Sequence, residues 1–434
     1  REEVRASLAD CLDGINPERT ASILSDATDA VLDGALTVAT GLVIAQRDGV
    51  EAVSGGLDAD GCWQASRARH AIIAMGRLGG REIGYASDAD VLFVHKARDG
   101  TDQDAAAQEA EAVAKQVMGL LASALPHPLE VDCDLRPEGR NGVMSRSLDA
   151  YREYYGRWSA LWERQALLRA RPCAGDHDLG RRFEQLINPL RWAQEGLAPQ
   201  DLREIRRIKA RVESERLPRG VDPARHLKLG PGGLSDVEWS AQVLQLAHAG
   251  RIPRLRTTST VAALQAAVQA GVLSADGGGD LVAAWILASR LRSAIVLGTG
   301  RASGPRSQVL PIQIREIRLV GRLIGLDAGR ERELEDLYRR SARHARTVAE
   351  CIVFTDSAAH GSVAPMPSTT ASAAQQHSGD SPASHQTGRA RNARAQSRRD
   401  TGAAASKRAG FKSSGRASRS RATRRRPEGP YPWS

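Results

Sequence analysis

Apolar positions divide the chain into stretches of different period. Over residues 1–50, Leu24, Val31, Leu32, Leu36 and Val38 lie among alanines and predict mostly helix. His70-Ala-Ile-Ile-Ala-Met75 is then a short continuous apolar run, which predicts a strand. It is followed by Gly76, Gly79, Gly80 and Gly84, and next by Asp88-Ala-Asp-Val-Leu-Phe-Val-His95, a second strand. Residues 104–125 are rich in Ala and Leu at helical spacing, and Pro128 to Arg136 returns to strand. From Tyr151 the pattern is almost wholly helical. Leu202, Ile205, Ile208 and Val212 recur at three and four residues behind Asp201, the expected N-cap. A break at Gly230-Pro-Gly-Gly233 precedes a helix with Val237, Ala241 and Leu244, and further helices fit 259–272, 278–298 and 331–354. No internal repeat is visible.

This succession predicts an α+β chain: a helical segment over 1–60, a small α/β domain over 61–185, an all-helical bundle over 186–355 and a tail over 356–434. The tail is rich in Ser, Ala, Gly, Arg and Gln without a hydrophobic period, so disorder is expected there. Charge sharpens the division. Residues 356–434 hold 14 of the 61 basic and 4 of the 51 acidic residues, so the whole net charge of +10 lies in the tail. The basic balance therefore does not make the folded part a nucleic-acid binder. The arginine-rich end, from Arg419 to Arg426, is expected to touch nucleic acid only non-specifically. Aromatic residues are 4% of the chain, so the core must be mainly aliphatic. The five cysteines, Cys11, Cys62, Cys133, Cys173 and Cys351, form no Cys-x-x-Cys pair, which argues against a disulfide framework or a thiolate zinc site. No continuous apolar run approaches the ~18–20 residues of a membrane span, and no signal peptide is evident, so a cytoplasmic protein is expected. An opening Arg-Glu-Glu in place of Met suggests a fragment or a processed start.

The candidate chemistry begins at the glycines. In a strand, positions i and i+2 share a face, so Asp88 and Asp90 project together. Two adjacent carboxylates repel unless a cation lies between them, and an all-oxygen set favours Mg²⁺. The glycine-rich turn upstream is expected to offer backbone N–H groups to phosphate oxygens. A third carboxylate from a neighbouring strand would complete a two-metal site, and Asp132 and Asp134 are both candidates. Strand, glycines, an eleven-residue gap and Asp-x-Asp running into Val-Leu-Phe-Val together describe nucleotidyl transfer from a nucleoside triphosphate. The glycine spacing does not fit a dinucleotide fold.

Gly76-Arg-Leu-Gly-Gly-Arg-Glu-Ile-Gly-Tyr-Ala-Ser-Asp-Ala-Asp90 resembles the nucleotidyltransferase signature of the glutamine synthetase adenylyltransferase family. Later blocks resemble the same family in the same order: Glu130 to Gly139, Trp162 to Arg171, Ile208 to Arg219 and Lys228 to Trp239. The resemblance covers roughly residues 5–354. Family members carry two copies of this module, an N-terminal one that removes AMP and a C-terminal one that adds it. The single copy here is worded like the C-terminal copy of actinobacteria. The resemblance implies a polymerase-β-like nucleotidyltransferase domain followed by a helical bundle. It implies transfer of AMP from ATP to a glutamine synthetase tyrosine, with release of pyrophosphate, in the control of nitrogen assimilation. By it, Asp88 and Asp90 hold both Mg²⁺ ions, and Asp132 binds the catalytic ion and helps deprotonate the tyrosine. Gly76, Gly79, Gly80, Ser87 and Arg136 then hold the nucleotide. Glutamine and a PII-type signal protein are the family's effectors.

The chain departs from the family pattern at Asp134, usually Arg or neutral, at Pro231, usually Arg, at Gly298 to Arg306, and throughout the tail. A degenerating copy, or an altered reading frame near the end, would account for these. Two other readings stand beside transfer: phosphorolytic removal of AMP on the same fold, and a non-catalytic paralogue that binds glutamine synthetase or a PII-type protein. Lys209 and Lys228 are weighed as phosphate ligands but read as solvated lysines.

Overall fold

The computed structural model describes residues 1–49, 63–124, 128–302, 304 and 306–354. Cys62 and the expected disordered tail lie outside the described residues. The chain begins with two helices, α1 (Glu2–Asp13) and α2 (Pro17–Asp48). Helix α2 starts where the Asn16 side chain accepts the Arg19 N–H at 3.1 Å, with Pro17 in the first turn. Gly49 ends it in the left-handed region, at φ 67°.

The sheet follows: β1 (Ala68–Ala74), β2 (Ala89–Ala97), β3 (Val131–Asp132), β4 (Ser145–Ser147) and β5 (Arg171–Gly175). Its order is β3-β2-β1-β5, with β4 also on β2. Strand β1 runs antiparallel to β2 and β5, and β2 runs parallel to β3 and β4. Period-two alternation sends Ile72, Val91 and Phe93 to one face, against Leu24, Leu32 and Leu36 of α2 and Val113 and Val117 of α3 (Gln103–Ala122). Ile73, Leu92 and Val94 face the other way. They meet Tyr151 and Tyr155 of α4 (Leu148–Trp158) and Phe183 and Ile187 of α6 (His177–Arg191), with α5 (Leu161–Leu167) between these helices in the chain. The sheet is thus covered on both faces, and the N-terminal helices share its core.

The remainder is a helical bundle: α7 (Pro199–Arg216), α8 (Leu234–His248), α9 (Thr260–Gln269), α10 (Ala275–Thr299), α11 (Ile314–Leu323) and α12 (Glu333–Phe354). Leu202, Ile205, Ile208 and Val212 bury one stripe of α7 in the core that also holds Trp239, Trp285 and Tyr338. By length and mean hydropathy alone, α2 and α10 would suffice to cross a membrane, although neither is a continuous apolar run. Their buried residues instead join the two cores just described.

Only Val131–Asp132 of the Pro128 to Arg136 segment is strand. The Asp132 carboxylate accepts the Asp134 N–H at 2.6 Å, which turns the chain out of the ladder. Strand β5 falls in a stretch read as helical, because Arg-Pro-Cys-Ala-Gly carries no apolar alternation; its partner β1 decides its conformation. Asp201 is not the N-cap of α7. It sits three residues inside and accepts the Ala198 N–H at 3.1 Å from there. Lys209 is not solvated: it is 1% exposed and ion-paired to buried Asp236 and, at 2.9 Å, to Glu213. Asp236 also accepts the Gly232 N–H at 2.6 Å, so it pins the glycine break rather than merely facing a helix dipole.

Two buried histidines give the fold an acid limit. Burial holds His70 down to about 3 and His95 down to about 4. The unfolded chain takes up these protons near pH ~6.5. The folded chain refuses them, so the histidines' contribution is full above that pH and is lost as pH falls. The expected loss is about 1.4 kcal/mol per pH unit per histidine. His70→Gln should lose less stability than the parent between pH 6.5 and 4 in urea titrations. Equal slopes for the two proteins would exclude His70 as a source.

Candidate active site

The site forms where β1 ends and β2 begins. Gly76 follows β1 at φ +50°, and a Cβ there would stand 2.1 Å from Asp90 Oδ2. Glycine at this position lets the Asp90 carboxylate lie against the turn. The Asp90 carbonyl accepts the Met75 N–H at 2.8 Å, fixing the turn to the strand start. Asp90 and Asp132 are register partners on the parallel pair β2 and β3, so their side chains share a face. Asp88 is exposed just before β2.

The other glycines do different work from that expected. The amides of Gly79 and Gly80 bond to Met75 and Gly76 carbonyls within the turn, so they are not free for phosphate. A Cβ on Gly79 would meet the Arg169 carbonyl at 1.9 Å, and one on Gly80 the Arg169 Nη1 at 2.6 Å. Their smallness admits Arg169 beneath the turn. This arginine donates to Glu82 Oε2 at 2.6 Å and also bonds Thr260 Oγ1. Glu82 in turn accepts the Thr260 N–H at 2.5 Å and its hydroxyl at 2.9 Å. All three side chains are buried, and they tie the glycine turn to the start of α9. On the other side, Tyr85 of the same loop donates to Asp10 at 2.8 Å, which also takes the Thr20 hydroxyl. Ser87 accepts the Gly84 N–H at 3.0 Å. Arg136 is turned to the backbone of its own loop, donating to Cys133 O at 2.9 Å and Gly142 O at 3.1 Å. It does not border the cavity beside the acid pair.

That cavity, of about 260 Å³, is bordered by Asp88, Asp90 and Ser87 and also by Arg77, Lys228 and Arg292. Sequence reasoning missed Arg77 and Arg292 and discounted Lys228. The signal for Arg292 was a charge within the apolar second half of α10, a signal that Arg290 shares. None of the three cations has an ion pair to a carboxylate among the described residues. Arg77 donates Nε to the Glu82 carbonyl at 2.8 Å, and its Nη1 is buried without a partner. Burial and the Arg77 charge bring Arg292 down to about 9. Burial and the neighbouring Arg292 and Arg77 charges likewise lower Lys228, with Glu238 opposing. Burial, then the Asp88 charge, pushes Asp90 up to about 7, with Lys228 opposing. Burial also raises Asp132.

A cation fits here by chemistry. Carboxylates whose charge is disfavoured by burial and by each other are relieved by a hard ion. Among the described residues no three acidic, imidazole or thiol groups form a closed cage. One or two carboxylates completed by phosphate oxygens is the usual manner of holding Mg²⁺.

A small mixed sheet with an acid pair beside a glycine turn, enclosed by helices, defines a nucleotidyltransferase-like protein. Residues 1–186 match the family model described as glutamate-ammonia ligase adenylyltransferase, and residues 205–353 match that described as GlnD PII-uridylyltransferase. The chain is 53% identical over 288 residues to the bifunctional glutamine synthetase adenylyltransferase/adenylyl-removing enzyme of Streptomyces coelicolor, covering 66% of this chain and 28% of that one. It is 42% identical over 353 residues to the enzyme of the same name from Cutibacterium acnes, covering 81% and 33%. The Nocardia farcinica enzyme of that name is 44% identical over 353 residues, covering 80% and 33%. The chain belongs to the glutamine synthetase adenylyltransferase family, and it spans about a third or less of these relatives' own length.

Proposed function

We propose that the chain transfers AMP from ATP to a tyrosine hydroxyl of glutamine synthetase and releases pyrophosphate. The observation that carries this reading is the set of three cations, Arg77, Lys228 and Arg292, that line one cavity together with Asp88 and Asp90. Three like charges without carboxylate partners call for a polyanion, and a triphosphate suits them better than a single orthophosphate. That favours transfer over phosphorolysis.

In this reading Asp88 and Asp90 hold Mg²⁺, which would neutralise charge on the reacting phosphates. Asp132, beside Asp90, orients the incoming hydroxyl and takes its proton. Arg77, Lys228 and Arg292 bind the β- and γ-phosphates and hold the developing pyrophosphate charge. Ser87 borders the same cavity, and Gly76 makes room for the Asp90 carboxylate. Glutamine synthetase as substrate, glutamine and a PII-type protein as effectors, and a cytoplasmic setting belong to the same proposal.

The test is transfer of label from [α-³²P]ATP to purified glutamine synthetase. Lys228→Ala and Arg292→Ala should each raise KM for ATP and weaken pyrophosphate inhibition together. The lost charge-assisted bonds are worth about 1.5–3 kcal/mol, or roughly ten- to hundredfold. ADP formed from adenylylated glutamine synthetase and orthophosphate, with no labelling in the forward direction, would reverse the assignment. ATP binding without pyrophosphate release would make the chain a binding module.

A further inference from the structure

One helix lines the same cavity with neutral polar side chains as well as with Arg292. On α10, Trp285, Ser289, Arg292, Ser293 and Val296 border it, at the spacing of one helix face. Gln308 borders it as well. Three polar atoms on residues of this lining are buried without a hydrogen-bond partner among the described residues: Trp285 Nε1, Ser289 Oγ and Gln308 Oε1. Trp285 is 1% exposed and Ser289 6%.

Orphaned polar atoms are costly in a fold, about 1–3 kcal/mol each. Ser289 also had an alternative within its helix. Thr299 of α10 donates back to the Ile295 carbonyl at 2.6 Å, and Ser240 of α8 to Asp236 O at 2.7 Å. Ser289 makes no such bond. The indole N–H can only donate, the amide oxygen can only accept, and the hydroxyl can do either. A neutral set of this kind suits the edge of a heterocycle, where ring nitrogens accept and an amine donates. Phosphate would go to the cations instead. Trp285 lies seven residues from Arg292, about 10 Å along the helix, which leaves room for a sugar between them.

We infer that Trp285, Ser289 and Gln308 are the nucleobase-reading edge of the cavity, completing the nucleotide site begun by the cations. This rests on the nucleotidyl-transfer reading and adds to it the residues that recognise the base. Trp285 Nε1 donates to a ring nitrogen of adenine, Gln308 Oε1 accepts from the exocyclic amine, and Ser289 supports either bond.

The experiment compares binding of ATP with that of inorganic tripolyphosphate, which has the charge but no base, by calorimetry on the full chain with Mg²⁺. The parent protein should bind ATP at least tenfold more tightly. Ser289→Ala and Trp285→Phe should each cut ATP affinity several-fold and leave tripolyphosphate affinity unchanged. Ser289→Ala is the smaller change and keeps the test valid should Trp285→Phe unfold the bundle. Equal parent affinity for the two ligands, or unaltered ATP affinity in a folded Ser289→Ala protein, would overturn the inference while leaving the phosphate site intact. Failure of the parent to bind either ligand would remove the nucleotide site altogether.

Discussion

Asp90→Asn should lower adenylyl transfer by roughly 10³-fold or more, the loss expected when several kcal/mol of metal-borne charge stabilisation is removed. The same substitution should stabilise the protein in EDTA. Burial and the Asp88 charge push the Asp90 carboxyl up to about 7, whereas an unfolded aspartate titrates near ~4. The folded state therefore favours the protonated form. Asp90 costs nothing at low pH, and its cost grows as pH rises from ~4 and is complete above about 7. Asparagine removes that cost, so at pH 8 without metal the variant should gain roughly 1–3 kcal/mol and melt several degrees higher. The gain should vanish near pH 4. Differential scanning calorimetry in EDTA across this range measures it. A variant that is inactive and also less stable at pH 8 would mean that Asp90 holds the fold rather than a cation.

The acid pair was legible because both carboxylates and the glycine turn that receives them lie within one short stretch. Gly76 meets Asp90 through local chain geometry, and the apolar run behind Asp90 marks the strand. The cations were not legible for the opposite reason. Arg77, Lys228 and Arg292 come from the glycine turn, the loop before α8 and the middle of α10, and only tertiary packing brings them to one cavity. Lys209 and Lys228 show the limit plainly. Both are lysines of the helical region, yet one is locked to Asp236 in the bundle core and the other borders the cavity beside Asp88. Composition and period do not distinguish them. Strand β5 was missed in the same way, since β1 rather than its own sequence makes it extended. The Glu82–Arg169–Thr260 tie gave no signal beyond a buried charge pair. It explains why Gly79 and Gly80 are glycines better than phosphate binding does.

Asp132→Asn should lose most of the rate, roughly 10²-fold, whereas Asp134→Asn should retain activity within about twofold. On sequence alone the two carboxylates are tied to one strand face and cannot be told apart. The structure separates them, because β3 ends at Asp132 and the chain turns at once. Asp132 stays opposite Asp90 in the register, half-buried, with burial raising its carboxyl. Asp134 leaves the ladder and is taken by Arg140 at 2.6 Å, with Arg136 at 3.8 Å. Its charge is matched on the loop, so it adds little repulsion to the acid pair. Loss of the exposed Arg140 contact should leave stability nearly unchanged. Single-turnover transfer from ATP, followed over a pH series for both variants, distinguishes the roles. A base at Asp132 predicts that the parent rate falls as pH drops and that the residual rate of Asp132→Asn loses this dependence. An inactive Asp134→Asn beside an active Asp132→Asn would place the third carboxylate on the loop and not on the strand.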